Sequence, residues 1–507
     1  MTVTKSAQVL IGTSPTWQVS ATGFVTQSGT VADIAENTTL PIYLLGEMNG
    51  KKCIATGYTT WYIEEGSGDL YGCGYNSFGQ QGSSDTNDVL TFTKRAENVK
   101  DFNCAFSSSW YITSDGDLYG CGFNSSGQQG SGDTNNVLTF TKRAENVKKV
   151  VTSGYTTWYI TNDGDLYGCG SNGSGQQGSG DTNNVLTFIK RASNVKDFTP
   201  SEHTIWYIDN NDDLYGCGSA AYGQQGSGNT NDVLTFTKRA SNVKKVFNTG
   251  GLSSWYIDNN GDLYGCGRND SGQQGSGNTN NVLTFTKRAS NVKDFKGSNF
   301  YVAYLNNNGD LYICGDGSSG QQGSGGTSNV TTFTQRASNV KEFGVDGSAT
   351  CYINNNGYLY ITGYNAYGQQ ANGSKGSGTN VKTFTQRATS VKKIINCNMN
   401  VWYEDNNGDF YCCGYNQYSQ QGNNSTTNTT SFSKRITGGT SNTANLSITP
   451  TPASAIVTIN GSTTSSADIR KGMPAEWSVS KTGYVTQTGT IDHIYDDTTL
   501  TITLESE

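Results

Sequence analysis

Histidine is almost missing from this sequence: His203 and His493 are the only two in 507 residues. A Ser/His/Asp or Cys/His centre needs an imidazole beside its nucleophile, and a multi-histidine metal site needs several, so neither can readily be assembled here. Each histidine reads as a surface or loop residue. Long apolar runs are also lacking. No stretch of 18 apolar residues occurs, which excludes a membrane-spanning helix and membrane insertion. The opening Met1-Thr-Val-Thr-Lys-Ser-Ala-Gln8 has no basic segment followed by an apolar one, so no secretion signal is expected. Lys and Arg number 34 against 41 Asp and Glu, with a net charge of −7 and no basic run. A nucleic-acid partner is therefore not expected. Hydrophobic residues make up only 33% while Gly reaches 64 residues, a balance that suits short strands joined by tight turns and leaves little room for helix.

What the chain does have is repetition. The first position of a Gly-Gln-Gln-Gly signature falls at Gly79, Gly127, Gly175, Gly223, Gly272, Gly320, Gly368 and, altered, Ser419, in steps of 48, 48, 48, 49, 48, 48 and 51. So regular a period requires a repeat architecture. Seven of the twelve cysteines share one repeat position, Cys73, Cys121, Cys169, Cys217, Cys266, Cys314 and Cys413, with Thr362 in the seventh unit. They read as small buried hydrophobes rather than as disulfides or metal ligands, because no Cys-x-x-Cys or partnered His accompanies them. No metal or cofactor is expected.

The two ends are related. Trp17-Gln-Val-Ser-Ala-Thr-Gly-Phe-Val-Thr-Gln-Ser-Gly-Thr30 aligns without gaps on Trp477-Ser-Val-Ser-Lys-Thr-Gly-Tyr-Val-Thr-Gln-Thr-Gly-Thr490, and the match continues to Leu44 against Leu504. The C-terminal copy is longer, since Leu446 to Gly461 supplies two further strands and a turn. The N-terminal copy, with strand-like runs at Gln8–Ile11, Trp17–Ser20 and Leu40–Leu44, is a truncated sheet. Unpaired edges invite completion, by the C-terminal module, another subunit or a neighbouring protein, unless the first sixteen residues fold over the gap. This gives three regions: a partial β-sandwich module over 1–48, a repeat body over 49–438 and a complete module over 439–507. The segments Pro452-Ala-Ser-Ala-Ile-Val-Thr-Ile-Asn-Gly461 and Lys481-Thr-Gly-Tyr-Val485 resemble PEGA-type β-sandwich modules of surface proteins, which implies a binding or spacer role.

Each repeat reads as four short strands, in the third copy Lys148–Thr152, Thr157–Thr161, Asp165–Cys169 and Thr187–Arg191, with a hairpin turn at Asn162-Asp-Gly164. Their apolar residues fall on both alternating positions, so both faces should be covered. Four-stranded units stacked face to face and closed on themselves make an all-β propeller. The run Gly-Asp-Leu-Tyr-Gly-Cys-Gly-x-Asn-x-x-Gly-Gln-Gln-Gly, with Val-Lys-Lys-Val before the next unit, is similar to the repeat of the regulator of chromosome condensation family over roughly residues 51–436. That family commonly closes with seven blades. Eight complete units predict eight blades here, with a seven-bladed ring as the alternative. The family's namesake nucleotide exchange on a chromatin-bound GTPase is not carried over, because no basic tail is present and such propellers serve many purposes.

Several motifs carry candidate chemistry. Gly168-Cys-Gly-Ser-Asn-Gly173 fits a dinucleotide-binding pattern, but in one repeat only and with no helix after it. Asp258-Asn-Asn-Gly-Asp262 resembles a calcium loop without its distal Glu, and reads as a hairpin turn. One arginine stands in every unit: Arg95, Arg143, Arg191, Arg239, Arg288, Arg336, Arg387 and Arg435. The favoured reading pairs each with the Asp before the unit's Leu, such as Asp69 or Asp165, because an uncompensated positive ring would repel itself. Between Cys-Gly and Gly-Gln-Gln lie four residues that vary. Units seven, eight and one carry six aromatics there: Tyr364, Tyr367, Tyr415, Tyr418, Tyr75 and Phe78. Ring closure makes those units neighbours, so a contiguous aromatic patch is expected near the seam, suited to glycan stacking or protein contacts. The alternative is that these rings pack against the end modules.

The expected function is that of a non-enzymatic structural and binding protein. A bacteriophage virion component (fibre, decoration or receptor-binding protein) suits near-identical repeats, a surface rich in Ser, Thr, Asn and Gly, and the lack of an export signal. The expected partners are other virion or surface proteins and a host glycan or receptor, with oligomer formation through the incomplete N-terminal sheet. The alternatives are a bacterial surface adhesin and an intracellular regulator or inhibitor gripping a protein through one propeller face.

Overall fold

The computed structural model describes residues 16–19, 27–30, 52–64, 66–105, 107–437, 443–470, 473–494 and 498–506. Residues 1–52 form one compact unit and residues 53–507 another.

Blade three shows how each repeat folds. Its strands, Val147–Ser153, Thr156–Thr161, Leu166–Gly170 and Val185–Ala192, form one antiparallel sheet in chain order. Gly164 closes the turn between the second and third strands at φ +83°, where Thr161 N donates to the Asp165 carbonyl at 3.0 Å and Asp165 N donates to Thr161 Oγ1 at 3.1 Å. In the second strand five consecutive residues, Thr156 to Ile160, are buried. The fourth strand is less covered, with one of its eight residues buried, four half-buried and three exposed, which corrects the expectation that every strand is covered on both faces. It is the edge strand of its blade, with no fifth strand beyond it.

Eight such four-stranded sheets follow one another from Lys52 to Ile436, so the eight-unit count holds and the seven-bladed alternative falls. Small core clusters bridge successive blades. Trp158, Ile160 and Leu166 of blade three, for example, pack with Val195, Phe198 and Ile205 of blade four. The same layer joins the last blade to the first, where Trp402, Phe410 and Cys412 pack with Cys53 and Ala55. Across that seam Gln420 Nε2 donates to the Gly57 carbonyl at 2.8 Å, and Asn424 N donates to the Leu90 carbonyl at 3.1 Å. The ring is closed by the contacts that join its other blades.

The C-terminal module packs two sheets. Thr443–Thr451 lies between Ser466–Arg470, antiparallel, and Thr498–Thr503, parallel. The second sheet runs Ser462–Thr463, Ile456–Ile459, Met473–Ser480, Gln487–Ile494. Leu446, Ile448, Val457, Ile459 and Val479 form the core between them. In the N-terminal unit, Thr16–Val19 pairs with Gln27–Thr30 and sets Trp17 opposite Gly29. The C-terminal copy sets Trp477 opposite Gly489 in the same register, so the internal duplication extends to strand pairing. The expected runs at Gln8–Ile11 and Leu40–Leu44, and whatever completes that sheet, lie outside the described residues.

Candidate functional site

The Gly-Gln-Gln-Gly signature joins blades. Its first glutamine folds back so that Oε1 accepts from the backbone two residues earlier, as Gln176 does from Ser174 N at 2.9 Å, while Nε2 reaches the next blade at the Glu202 carbonyl, 3.0 Å away. The second glutamine stays within its blade, with Gln177 Nε2 donating to the Cys169 carbonyl at 2.9 Å. The repeated cysteines do more than fill space. Cys169 Sγ donates to the Gln128 carbonyl of the preceding blade at 3.4 Å, and Cys73 Sγ donates across the seam to the Gln420 carbonyl at 3.6 Å. In blade seven Thr362 Oγ1 donates to the Gly320 carbonyl at 2.9 Å. Cys and Thr are both small donors, and this accounts for the exchange. All twelve cysteines are free thiols.

Of the four varying residues, the second is structural wherever it is Asn. Asn172 is fully buried; its amide donates to Ser179 Oγ and the Asp181 carbonyl at 2.9 Å each, and its Oδ1 accepts from Gln177 N at 2.7 Å. It clamps the loop behind it. The third position is exposed at Ser77, Ser125, Gly173 and Gln417, and the first and fourth, which carry the predicted aromatics, are half-buried except for the buried Tyr415.

The structure brings all six together. Tyr364 lies 6.0 Å from Tyr367, Tyr367 4.8 Å from Tyr415, Tyr415 6.0 Å from Tyr418, Tyr418 4.7 Å from Tyr75, and Tyr75 6.0 Å from Phe78, measured between ring centroids. Sequence reasoning missed three further members. Tyr58, in the turn between the first two strands of blade one, sits 5.6 Å from Tyr418 and 6.2 Å from Tyr415. Phe78 continues to Phe123 at 4.7 Å, and Phe123 to Tyr155 at 5.8 Å. Tyr58 and Tyr155 belong to a second loop that the chain fold sets beside the varying segment, where Tyr75 N donates to the Tyr58 carbonyl at 3.0 Å. Among the described residues nine rings thus run as one arc over blades seven, eight, one, two and three. Tyr415 is buried, Tyr155 is exposed and the other seven are half-buried. Burial, and then the neighbouring phenols, pushes the Tyr415 and Tyr58 hydroxyls above the ordinary tyrosine value.

The rest of the same face differs in character. There Arg268 lies over Tyr222 at 5.5 Å and Phe300 at 4.9 Å and pairs with Asp270. His203 stands in the blade-four turn, half exposed, 3.9 Å from Glu202; the side chain of His493 lies outside the described residues. On the opposite face Asp258 Oδ1 accepts from Asn260 N and Asp262 N at 3.0 and 2.8 Å, a hairpin turn that uses the carboxylate itself. Among the described residues no group of three His, Cys, Asp or Glu is placed to hold a metal.

The arginine pairing is corrected. In six blades the Asp at this position binds the lysine preceding the arginine, as in Lys94–Asp69 at 2.9 Å, Lys190–Asp165 at 2.7 Å and Lys434–Asp409 at 2.7 Å, and in blade six Asp310 takes Gln335 Nε2 instead at 3.0 Å. Strand alternation turns the adjacent arginine the other way, toward the second glutamine: Arg435 Nη2 donates to Gln421 Oε1 at 2.8 Å and Arg336 Nη2 to Gln322 Oε1 at 3.2 Å. Half-burial lowers the pKa of guanidinia such as Arg95 and Arg191 without approaching neutrality.

A second feature escaped the sequence reading. The first strands of blades three to seven line a cavity of about 490 Å³. Their third position alternates in sign around the ring: Lys52, Asp101, Lys149, Asp197, Lys245, Asp294, Glu342, Lys393. Lys149 Nζ meets Asp197 Oδ1 at 2.5 Å and Lys245 Nζ meets Asp294 Oδ1 at 3.0 Å. The alternation breaks twice, and each break has a nearby opposite charge. Beside Asp294 and Glu342 stands Lys296, which donates to the Phe343 carbonyl at 2.7 Å and offsets part of the rise that burial gives the Glu342 carboxyl. Beside Lys393 stands Glu404, its ladder partner, which also binds Lys392 Nζ at 2.5 Å. Glu404 is 4% exposed and occupies a position that is Ile or Leu in the other seven blades.

Comparison with known proteins adds the following. Residues 2–43 and 444–503 match the head fiber dimeric protein-like domain. It is this family, not the PEGA type, that matches the two ends. Residues 147–176 match the regulator of chromosome condensation (RCC1) repeat. A head fiber dimeric protein of Bacteroides phage crAss001 is 58% identical over 57 residues, 11% of this chain; the chain spans 46% of that relative's length. Among solved structures, human WBSCR16 is 15% identical with a TM-score of 0.50, over 63% of this chain and 94% of that one. Prp20p of Saccharomyces cerevisiae, described as binding Gsp1p and histones, is 16% identical with a TM-score of 0.51, over 65% and 89%. At such identity the likeness is one of fold. The body is an eight-bladed propeller in which residues 147–176 match the regulator of chromosome condensation repeat, and both ends of the chain match the head fiber dimeric protein-like domain.

Proposed function

We propose that this chain is a non-enzymatic structural component of a bacteriophage virion, a head fibre protein that presents its propeller for contact with a partner. The observation that carries the reading is the match of both ends to the head fiber dimeric protein-like domain, with a phage protein 58% identical over 57 residues. The propeller supports it as a rigid display body: each blade is tied to the next by glutamine, cysteine and core contacts, and the arc of Tyr75, Phe78, Tyr364, Tyr367, Tyr415 and Tyr418 is its contact surface. Attachment falls to the end modules, and the shorter N-terminal copy is completed by another subunit or a neighbouring virion protein. Antibody raised to the recombinant chain, followed through a density gradient of phage lysate, tests this. Banding with intact particles is expected; recovery with cell envelopes or free protein alone would overturn it.

A further inference from the structure

We infer that the aromatic arc binds an uncharged polysaccharide, laid across blades seven, eight, one, two and three. The inference rests on the arc being the contact face, and three observations point to its ligand.

The first is charge. In those five blades the turns between the first and second strands (residues 347–348, 398–399, 56–58, 105–107 and 154–155) and the four-residue segments at 364–367, 415–418, 75–78, 123–126 and 171–174 contain no Asp, Glu, Lys, Arg or His. The same loops of blades four to six hold Glu202, His203, Arg268, Asp270 and Asp316. Charge in these loops thus falls in one sector of the face and the aromatic arc in the other, with Tyr222 and Phe300 left beneath Arg268 in the charged sector. An anionic or cationic ligand would find no counter-charge among these loop residues, and steered protein association usually employs one.

The second is form. Nine rings in a continuous curve, 4.7 to 6.2 Å apart along the path given above, make an elongated track rather than a pocket. Successive spacings are on the scale of one sugar ring, and successive rings are tilted by 56° to 81°, so a polymer meets ring faces and ring edges in turn along the track.

The third is polarity. Seven of the nine rings are tyrosines, and the gaps between them carry Ser77, Ser125 and Gln417, all exposed. Phenol, hydroxyl and amide groups pair with sugar hydroxyls without requiring charge.

Native gels of the full chain cast with dextran, mannan, galactan or xylan, and separately with acidic alginate, give the test. At least one neutral polymer should retard the chain, with little sensitivity to added salt. Tyr155→Ala and Tyr418→Ala should each weaken retardation about three- to tenfold while melting temperature stays near that of the parent. Tyr155 is exposed, so its loss leaves the fold intact even if the seam variant does not. Retardation by alginate alone, by no neutral polymer, or equally in the variants would overturn the inference; so would an arc whose variants lose only a glycan-free host protein. Banding with particles is scored separately, so the virion reading can stand while the polysaccharide fails.

Discussion

A thiol at one position in seven blades is a hydrogen-bond donor as well as a filler. Thr362 performs the same task with a hydroxyl in the eighth. Cys169→Thr should therefore be tolerated within about 1 kcal/mol, whereas Cys169→Val, of similar shape, leaves the Gln128 carbonyl without this donor and should cost about 1–3 kcal/mol. Urea denaturation of the two variants checks this. Burial raises the thiol pKa throughout the set, well above the ordinary value for Cys121 and Cys169, and, outside the set, raises Cys104 on the first strand of blade two to about 12. Folded protein should react with a disulfide reagent only slowly, and all twelve thiols should react once denatured. The sequence disclosed that these residues are small and buried. It did not disclose the acceptor, which belongs to the preceding blade.

In blades one to five a tryptophan faces a glycine, while in blade eight Trp402 faces Cys412. Trp158 stands opposite Gly168, where a Cβ would lie 2.5 Å from the indole Cζ3. Blades six and seven have Ala303 and Cys351 in place of the tryptophan, and there the opposite residue grows to Ile313 and Ile361. Gly168→Ile alone should cost at least about 1–3 kcal/mol through overpacking, and Trp158→Ala about 3–5 kcal/mol. The double variant should recover much of the loss, giving a large coupling term in a double-mutant cycle read by denaturation. The change from Tyr-Gly to Tyr-Ile was legible as a departure from the repeat. Its cause was not, because only the strand register shows which side chain faces the missing Cβ. On the hairpin face, hydrogen bonds from Lys190, Lys238 and Lys287 hold Asp165, Asp213 and Asp262 below the usual carboxylate range. Depressed carboxylates stabilise the fold fully above the unfolded value of about 4 and lose that contribution as pH falls through the folded one. Melting temperature should thus hold from pH 7 to 5 and decline below about 4.

At the scale of the ring, the alternating charges on the first strands set blade against blade. Lys149→Asp and Asp197→Lys should each lower stability by about 0.5–1 kcal/mol, since both groups are near 40% exposed and solvent screening weakens the pair. The swapped pair should restore most of it, with the effect shrinking in high salt. Thermal melts of the two singles and the double decide the matter. Glu404 shows that the ring tolerates a carboxylate in an apolar layer where lysines crowd. The alternation could have been read from Val-Lys-Lys against Val-Lys-Asp in successive repeats, but its meaning depends on those positions meeting around one cavity.

The sequence by itself determined the eight repeat units, the four-strand unit and the kinship of the two ends, because period and turn chemistry are local properties of the chain; the structure decided that all eight units are blades. It also placed six aromatics of the arc, since ring closure makes units seven, eight and one neighbours. Tertiary structure alone decided what is non-local: that Tyr58 and Tyr155 join the arc from a different loop, that Asp69, Asp165 and Asp409 take the lysine rather than the arginine, and that the cysteines reach the preceding blade. In each case the deciding distance separates residues far apart in sequence, and no spacing along the chain encodes it.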